Sequence, residues 1–214
     1  MRKWLSIAAL CAFMTVPALA DLTAPIGLPS SEGGEPLLSA VLNTLYGSSN
    51  LVRIDDDFDQ IWMNLDGGAR ATGMWAGATE TFGYIPGESG GSFASLFTIA
   101  RDTDRYNPPG ATGTTPGSED GLHTFRLAIN ASGFPLVSSL QAANNIDHMV
   151  TWRITSGANA GNYVVAWEVE NPGDRDYQDL VVEISNAAPV PIPAAVLLGM
   201  FGLGVAGLKL RKFV

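Results

Sequence analysis

Short runs of β-branched and aromatic residues, each ended by Gly, Pro, Asn or Asp, are the feature that most limits the fold of this chain. Nine such runs lie between residues 51 and 185, and no helical pattern alternates with them. Because parallel strands need long crossovers, this order favours antiparallel pairing. We therefore predict an all-β domain, an antiparallel, jelly-roll-like β-sandwich. The predicted strands are 51–54, 60–64, 71–75, 79–85, 92–100, 123–129, 148–155, 163–169 and 180–185.

One short helix is predicted ahead of the strands. Apolar residues recur at helical spacing from Pro36 to Tyr46, where Pro36 suits the first helical position and Gly47 suits the end. The segment 102–121, rich in Pro, Gly and Thr, is predicted to be a surface loop. Four tryptophans at inward-capable strand positions are expected in the core rather than on a sugar-stacking platform: Trp62, Trp75, Trp152 and Trp167.

The two ends of the chain differ from its middle. Residues 1–20 have the pattern of a secretory signal peptide, with Arg2 and Lys3 before an apolar run and small residues at the cleavage site. The lone cysteine, Cys11, lies inside this signal, so the exported chain would form no disulfide. Residues 21–35 are predicted to be a leader, and the β domain spans 36–186.

A second apolar segment closes the chain. A Pro-rich hinge is predicted at 187–193, followed by a transmembrane-like helix within 194–214. This uncharged stretch is short for a bilayer core of about 30 Å. Its basic end predicts a cytoplasmic C-terminus while the segment is embedded in the membrane.

The charge of the chain is concentrated in its middle. All 21 acidic residues lie between Asp21 and Glu183, together with only seven arginines, which gives this part a net charge of −14. Such a domain repels nucleic acid and anionic lipid, so neither is an expected partner of the domain. It would attract divalent cations or simply remain soluble outside the cell.

Carboxylates crowd the turn between two predicted strands, 163–169 and 180–185. Oxygen ligands on a flexible loop suit calcium, and we consider a calcium site formed by Glu168, Asp174, Asp176 and Asp179. A second candidate consists of Asp55, Asp57 and Asp59, which would share one face of an extended segment. The alternative for both is a solvated acidic edge that discourages aggregation.

Two histidines, His123 and His148, each follow an acidic residue within the preceding three positions. If they converged, they could form a transition-metal or acid–base site. A histidine at the start of a strand is more often a hydrogen-bonded structural residue, and we predict this role for both.

The end of the chain resembles the tail of PEP-CTERM sorted bacterial proteins, in its Val-Pro-x-Pro-Ala-Ala variant. The resemblance is carried by the hinge, the glycine-bearing apolar span and the basic cluster, through Val190, Pro191, Pro193, Lys209, Arg211 and Lys212. It implies export by signal peptidase and handling by an exosortase-type enzyme. The protein would be anchored transiently in the inner membrane and then released to the envelope or extracellular matrix.

The domain itself is similar to an uncharacterised exported β domain that often precedes such tails. The similar stretches are residues 53–62, 147–152 and 166–183. Some relatives in that group are suspected calcium binders, and the resemblance implies no established activity.

These observations leave three hypotheses about function. The first is a non-enzymatic, exported protein of the cell surface or extracellular matrix, stabilised by calcium. The second is a carbohydrate-binding module of the exopolysaccharide matrix. The third and least favoured is a secreted hydrolase, for which the sequence offers no catalytic residues that stand out from the other acids.

Overall fold

The structure is a computed structural model that describes residues 24–28, 35–101, 105–108, 111–114, 124–140, 147–169 and 174–190. Several predicted features lie outside these residues: the signal peptide, the transmembrane-like segment, His123, and the sorting residues Pro191, Pro193, Lys209, Arg211 and Lys212. Any helix able to cross a membrane would have to be longer and more apolar than those in the described ranges.

The described residues form one α-helix, one 3₁₀ turn and ten strands, and every strand pairing is antiparallel. The elements are α1 (Leu38–Tyr46), the 3₁₀ turn (Ser48–Asn50), β1 (Leu51–Arg53), β2 (Trp62–Met74), β3 (Glu80–Pro86), β4 (Ala94–Ile99), β5 (Thr112–Thr114), β6 (Thr124–Ala131), β7 (Val137–Ser138), β8 (Met149–Ile154), β9 (Tyr163–Trp167) and β10 (Leu180–Pro189).

The strands form an antiparallel β-sandwich with one short helix, as predicted. Their order is β1-β8-β9-β10-β2-β6-β3-β4, with β5 paired to β2 and β7 paired to β6. Side chains from strands that lie well apart in this order meet in one core. The rings of Phe82 on β3 and Trp167 on β9 lie 6.2 Å apart between centroids, and Phe82 stacks on Phe97 at 5.3 Å.

A second core lies beneath the helix. Successive side chains of a strand point to opposite faces, and in β9 Val165 and Trp167 enter the main core while Val164 and Ala166 face the helix. The helix covers them with buried side chains on one face, Leu38, Val41 and Leu42. Burial on both faces explains why β9 is an unbroken apolar run. The four tryptophans predicted to be in the core are all buried.

Several element boundaries differ from the predicted ones. The helix begins at Leu38, with Leu37 as its N-cap, so Pro36 precedes it rather than occupying its first position. The helix ends at Tyr46, and its C-cap is Gly47, whose φ of 77° favours glycine. The predicted strands 60–64 and 71–75 are parts of one strand, β2, which runs through the intervening glycines because β10 pairs along its length.

Two predicted irregular segments are more ordered than expected. The strand β10 continues to Pro189 by pairing with β2, so residues 187–189 belong to the sheet rather than to the predicted hinge. The strand β5 lies within the predicted loop 102–121, at positions whose Gly and Thr residues gave no strand signal.

The described parts of the leader pack on the domain. The amide of Ala24 donates to Asp56, and the amide of Gly27 donates to the Arg175 carbonyl at 2.7 Å. A Cβ at Gly27 would lie 1.9 Å from the carbonyl oxygen of Asp174, so this contact requires glycine. The leader is therefore held against the acidic turn.

Candidate functional site

The acidic turn brings together three of the four carboxylates predicted to bind calcium. Glu168 directly follows β9, and Asp174 and Asp176 lie on the segment that leads into β10. One carboxylate oxygen from each of these residues lies within 4.8 Å of the other two. Asp179, the fourth predicted ligand, is not part of this group, and its carboxylate accepts a hydrogen bond from the Val169 amide at 2.8 Å.

Local hydrogen bonds shape this turn. The Asp174 carboxylate accepts from the amide of Asp176 at 3.3 Å, and the Asp176 carboxylate accepts from the amide of Gln178 at 3.2 Å. Burial raises the pKa of Asp176, the hydrogen bond from the Gln178 amide opposes that rise, and the charge of Asp174 adds to it. Arg175 and Tyr177 both have positive φ, at 61° and 56°, which is an uncommon conformation for residues other than glycine.

Next to this turn lies a carboxylate that the sequence did not single out. Glu80 opens β3 and is fully buried. Neither of its carboxylate oxygens accepts a hydrogen bond from the described residues. Burial raises the pKa of Glu80 well above its usual value, and the charges of Asp179 and Glu168 raise it further.

The three acids of the second predicted calcium site lie on a turn, and they are not among the described carboxylates that lie close enough together to hold one ion. Residues 55–59 make a turn rather than an extended segment, with the Asp57 amide donating to the Asp55 side chain at 3.0 Å. As a result Asp55, Asp57 and Asp59 do not share one face, and Asp59 is buried while Asp55 and Asp57 are partly exposed. The predicted shared face assumed the alternation of a strand, which a turn lacks.

Other acids at or near this turn are buried or partly buried. Asp56 pairs with Arg53 at 3.1 Å, and the Arg53 guanidinium lies 5.2 Å over the Trp152 ring. The pKa of Asp147 is raised to about 7, chiefly by burial, and the charge of Asp56 adds to the rise while hydrogen bonds from backbone amides oppose it. Burial also raises the pKa of Asp59 well above its usual value.

His148 has the structural role that was predicted for it. It is buried, and its Nδ1 lies 2.8 Å from the carbonyl oxygen of Glu168. The backbones of these two residues also pair, because the Glu168 amide donates to the His148 carbonyl at 2.9 Å. The ring therefore supports the strand end that presents Glu168.

A polar groove on the outer face of the sheet is the second candidate site. On β10, Val182 and Ile184 enter the main core, so Glu183 and Ser185 point to the opposite face. Arg70 lies directly opposite Glu183, and Gly68 lies opposite Ser185, on β2. The groove encloses about 490 Å³ and is lined by Gly68, Ala69, Arg70, Thr112, Gly113, Asn159, Asn162, Glu183 and Ser185.

The Glu183 carboxylate organises this groove. Its side chain is only 7% exposed and accepts from Arg70 at 3.0 Å, from the Asn159 amide at 3.1 Å and from the Asn162 amide at 2.6 Å. The Tyr46 hydroxyl, from the last turn of α1, lies 3.5 Å from the same carboxylate. Because the carboxylate is ringed by donors, it fixes the orientation of the side chains that reach the groove.

A smaller groove continues from the first one. It encloses about 250 Å³ and shares Arg70 and Asn159 with the Glu183 groove. Its lining includes the ring of Tyr106, which is 39% exposed and packs edge-on against Trp75 at 5.1 Å. The two grooves together offer hydroxyl, amide and guanidinium groups beside an exposed aromatic ring.

Sequence reasoning missed this groove. A single acid within the apolar run of residues 180–184 was the available signal, because Glu183 interrupts an otherwise buried strand. Its partners come from β2, the β8–β9 turn and the end of α1, which are far apart in sequence. Only the strand register brings them together.

Comparison with known proteins yields structural similarity alone. No protein-family model matches the chain, and no curated protein matches it. Among solved structures, it is similar to the C-terminal domain of the BC2L-C lectin from Burkholderia cenocepacia, with a TM-score of 0.37, 15% identity, and coverage of 65% of this chain and 99% of that one. It is also similar to the Chromobacterium violaceum lectin CV2L, solved with alpha-methyl-fucoside, with a TM-score of 0.34, 19% identity, and coverage of 62% and 97%. Similarity at this level does not indicate what the present chain binds.

Proposed function

We propose that this protein is an exported carbohydrate-binding module and that the Glu183 groove is its binding site. The observation that carries the proposal is the Glu183 network, in which one buried carboxylate holds Arg70, Asn159 and Asn162 around an open polar groove. This corresponds to the second of the hypotheses drawn from the sequence.

The chemistry of the groove suits a ligand rich in hydroxyl groups. Each asparagine amide donates one hydrogen to Glu183 and retains a second N–H and a carbonyl oxygen for a ligand. A sugar hydroxyl can donate and accept at once, so it can use both groups. Arg70, whose side chain is half exposed, offers further donors. A site built from such groups rejects ligands that leave them unpaired.

The aromatic ring beside the groove adds a second mode of contact. Sugars present apolar C–H faces that pack on aromatic rings, and Tyr106 is exposed and held in place by Trp75. Since the smaller groove shares Arg70 with the larger one, a chain of several sugars could contact both.

The proposed location follows from the two ends of the sequence. The signal-like residues 1–20 and the sorting-like tail would deliver the domain to the cell surface or extracellular matrix. There the exopolysaccharide is the abundant polyhydroxylated ligand, and we propose that the protein binds it without chemical conversion.

The test is a glycan-binding measurement with a matched pair of variants. The purified protein is screened on a glycan array, and the strongest ligand is titrated by calorimetry. Asn162→Ala removes a side chain of the groove, and we expect affinity to fall at least about tenfold, since one lost hydrogen bond to a charged network is worth about 1.5–3 kcal/mol.

The control is Asn130→Ala, at an exposed asparagine on β6 outside the groove lining. It should bind with unchanged affinity. Equal losses for the two variants, or a wild-type protein that binds no glycan, would refute the assignment of the groove.

A further inference from the structure

The buried carboxylate of Glu80 has no positive partner among the described residues. It is fully buried, and both of its oxygens lack a hydrogen bond from those residues. A carboxylate in such a position is expensive unless it is protonated, paired with a cation or bound to a metal. The charged groups that act on it are Asp179 and Glu168, which are themselves acidic.

The turn beside Glu80 has ligand spacing that suits one metal ion. Oxygen ligands bind calcium at about 2.3–2.6 Å, so two ligands of the same ion lie at most about 5 Å apart. The carboxylate oxygens of Glu168, Asp174 and Asp176 meet this limit, at 4.8 Å or less. Glu168 is therefore both a member of this group and a charge that acts on Glu80.

We propose that this end of the sandwich binds a calcium ion, that Glu168, Asp174 and Asp176 ligate it, and that its charge compensates Glu80. Oxygen donors favour calcium or magnesium over softer metals. Calcium suits the site better than magnesium, because a turn with irregular backbone can supply six to eight ligands without octahedral geometry. Carbonyl oxygens and water would complete the coordination.

The ion would act as a brace and not as part of the Glu183 groove. It would tie the end of β9 to the segment entering β10 and, through Glu80, to the start of β3. The leader would gain as well, because Gly27 donates to the carbonyl of Arg175 within the same turn. Leu180, which opens β10 next to this turn, is about 10 Å along the strand from Glu183. Ion binding and ligand binding can therefore be tested separately.

The experiment is a calcium titration of the full-length chain after treatment with a chelator. Calorimetry with calcium chloride should give one bound ion per chain. The melting temperature should rise by about 5 °C or more at saturating calcium, since a ligand at a hundred times its Kd stabilises a protein of this size by that order. A wild-type chain that binds no calcium would overturn the proposal. An equal rise in melting temperature with magnesium chloride would overturn the choice of calcium over magnesium.

Two variants locate the ion. Asp174→Asn changes an exposed ligand, so the variant should fold, and its calcium affinity should fall at least about tenfold. Glu80→Gln should reduce the calcium-induced rise in melting temperature by removing the charge that the ion compensates. The control is Glu88→Gln, an exposed acid in the β3–β4 turn, which should behave as the wild type does. An undiminished rise in Asp174→Asn would place the ion elsewhere.

Discussion

The buried carboxylates of this protein differ in what compensates their charge. Glu183 accepts hydrogen bonds from Arg70, Asn159 and Asn162, and Asp56 is paired with Arg53. Glu80 has no such partner among the described residues, and the partly buried Asp147 is compensated in part by backbone amides and Arg53. The compensated Glu183 therefore orients a polar groove, while Glu80 is the carboxylate that the proposed calcium ion would compensate.

The raised pKa of Asp147 predicts that the stability of the protein depends on pH. Its folded-state pKa of about 7 lies above the unfolded value near 3.8, so the folded chain binds the extra proton between these limits. The free energy of unfolding should therefore fall as pH rises from about 4 to about 7, by up to about 4 kcal/mol from this group.

Denaturant unfolding of Asp147→Asn at several pH values checks this prediction. The asparagine cannot titrate, so the decline between pH 4 and 7 should become shallower. Asp57→Asn, at a partly exposed acid of the 55–59 turn, is the control and should keep the wild-type slope. The same slope in the wild type and in Asp147→Asn would show that other groups set the dependence.

At the scale of elements, β9 and α1 form one unit. The helix covers the face of β9 that the main core leaves open, so the second core exists only while α1 is docked. The same helix carries Tyr46 to the edge of the Glu183 groove, where its hydroxyl contacts Thr72 at 3.0 Å. Loss of helix docking should therefore affect both stability and the groove.

Adjacent leucines test this docking. Leu38 is 2% exposed and Leu37 is 45% exposed. Leu38→Ala should lower the free energy of unfolding by about 2–5 kcal/mol, because it removes buried methyl groups and leaves a cavity. Leu37→Ala should cost far less, since its side chain is largely solvated. Chemical denaturation measures both, and equal losses would mean that the helix is not docked through the face containing Leu38.

The sequence predicted which elements form better than it predicted where they begin and end. Apolar periodicity identified α1 and most strands, because burial of one or two faces imposes that pattern directly. It failed where tertiary pairing overrides local signals, as in β2 across its glycines and β10 through Pro189. At the acidic turn, Asp174 and Asp176 could be predicted to lie together because they are close in sequence. The positions of Glu80 beside this turn and of Arg70 in the Glu183 groove depend on strand register, which composition does not encode.

At the scale of the whole molecule, the domain is acidic and both ends carry basic and apolar residues. We propose that the ends direct export and sorting, and that the β-sandwich is the part that functions outside the cell. The described leader contacts show that residues as early as Ala24 belong to the folded unit. A cleavage after Ala20 would leave these contacts intact.

Mass spectrometry of the protein recovered from its native host tests this proposal. The mature chain should begin at Asp21 and lack the basic cluster at its end. A triple variant with neutral residues at Lys209, Arg211 and Lys212 should be processed less completely at the C-terminal side. Recovery of a chain that retains both Met1 and Val214 would contradict the export and sorting proposal.

The most direct test of carbohydrate binding is a crystal structure of the protein with the glycan that binds most tightly on the array. The carbohydrate-binding proposal predicts sugar density in the Glu183 groove, with hydroxyl groups hydrogen-bonded to Asn162 and Arg70 and a sugar face against Tyr106. Density for the glycan at another surface, with the Glu183 groove empty, would contradict it.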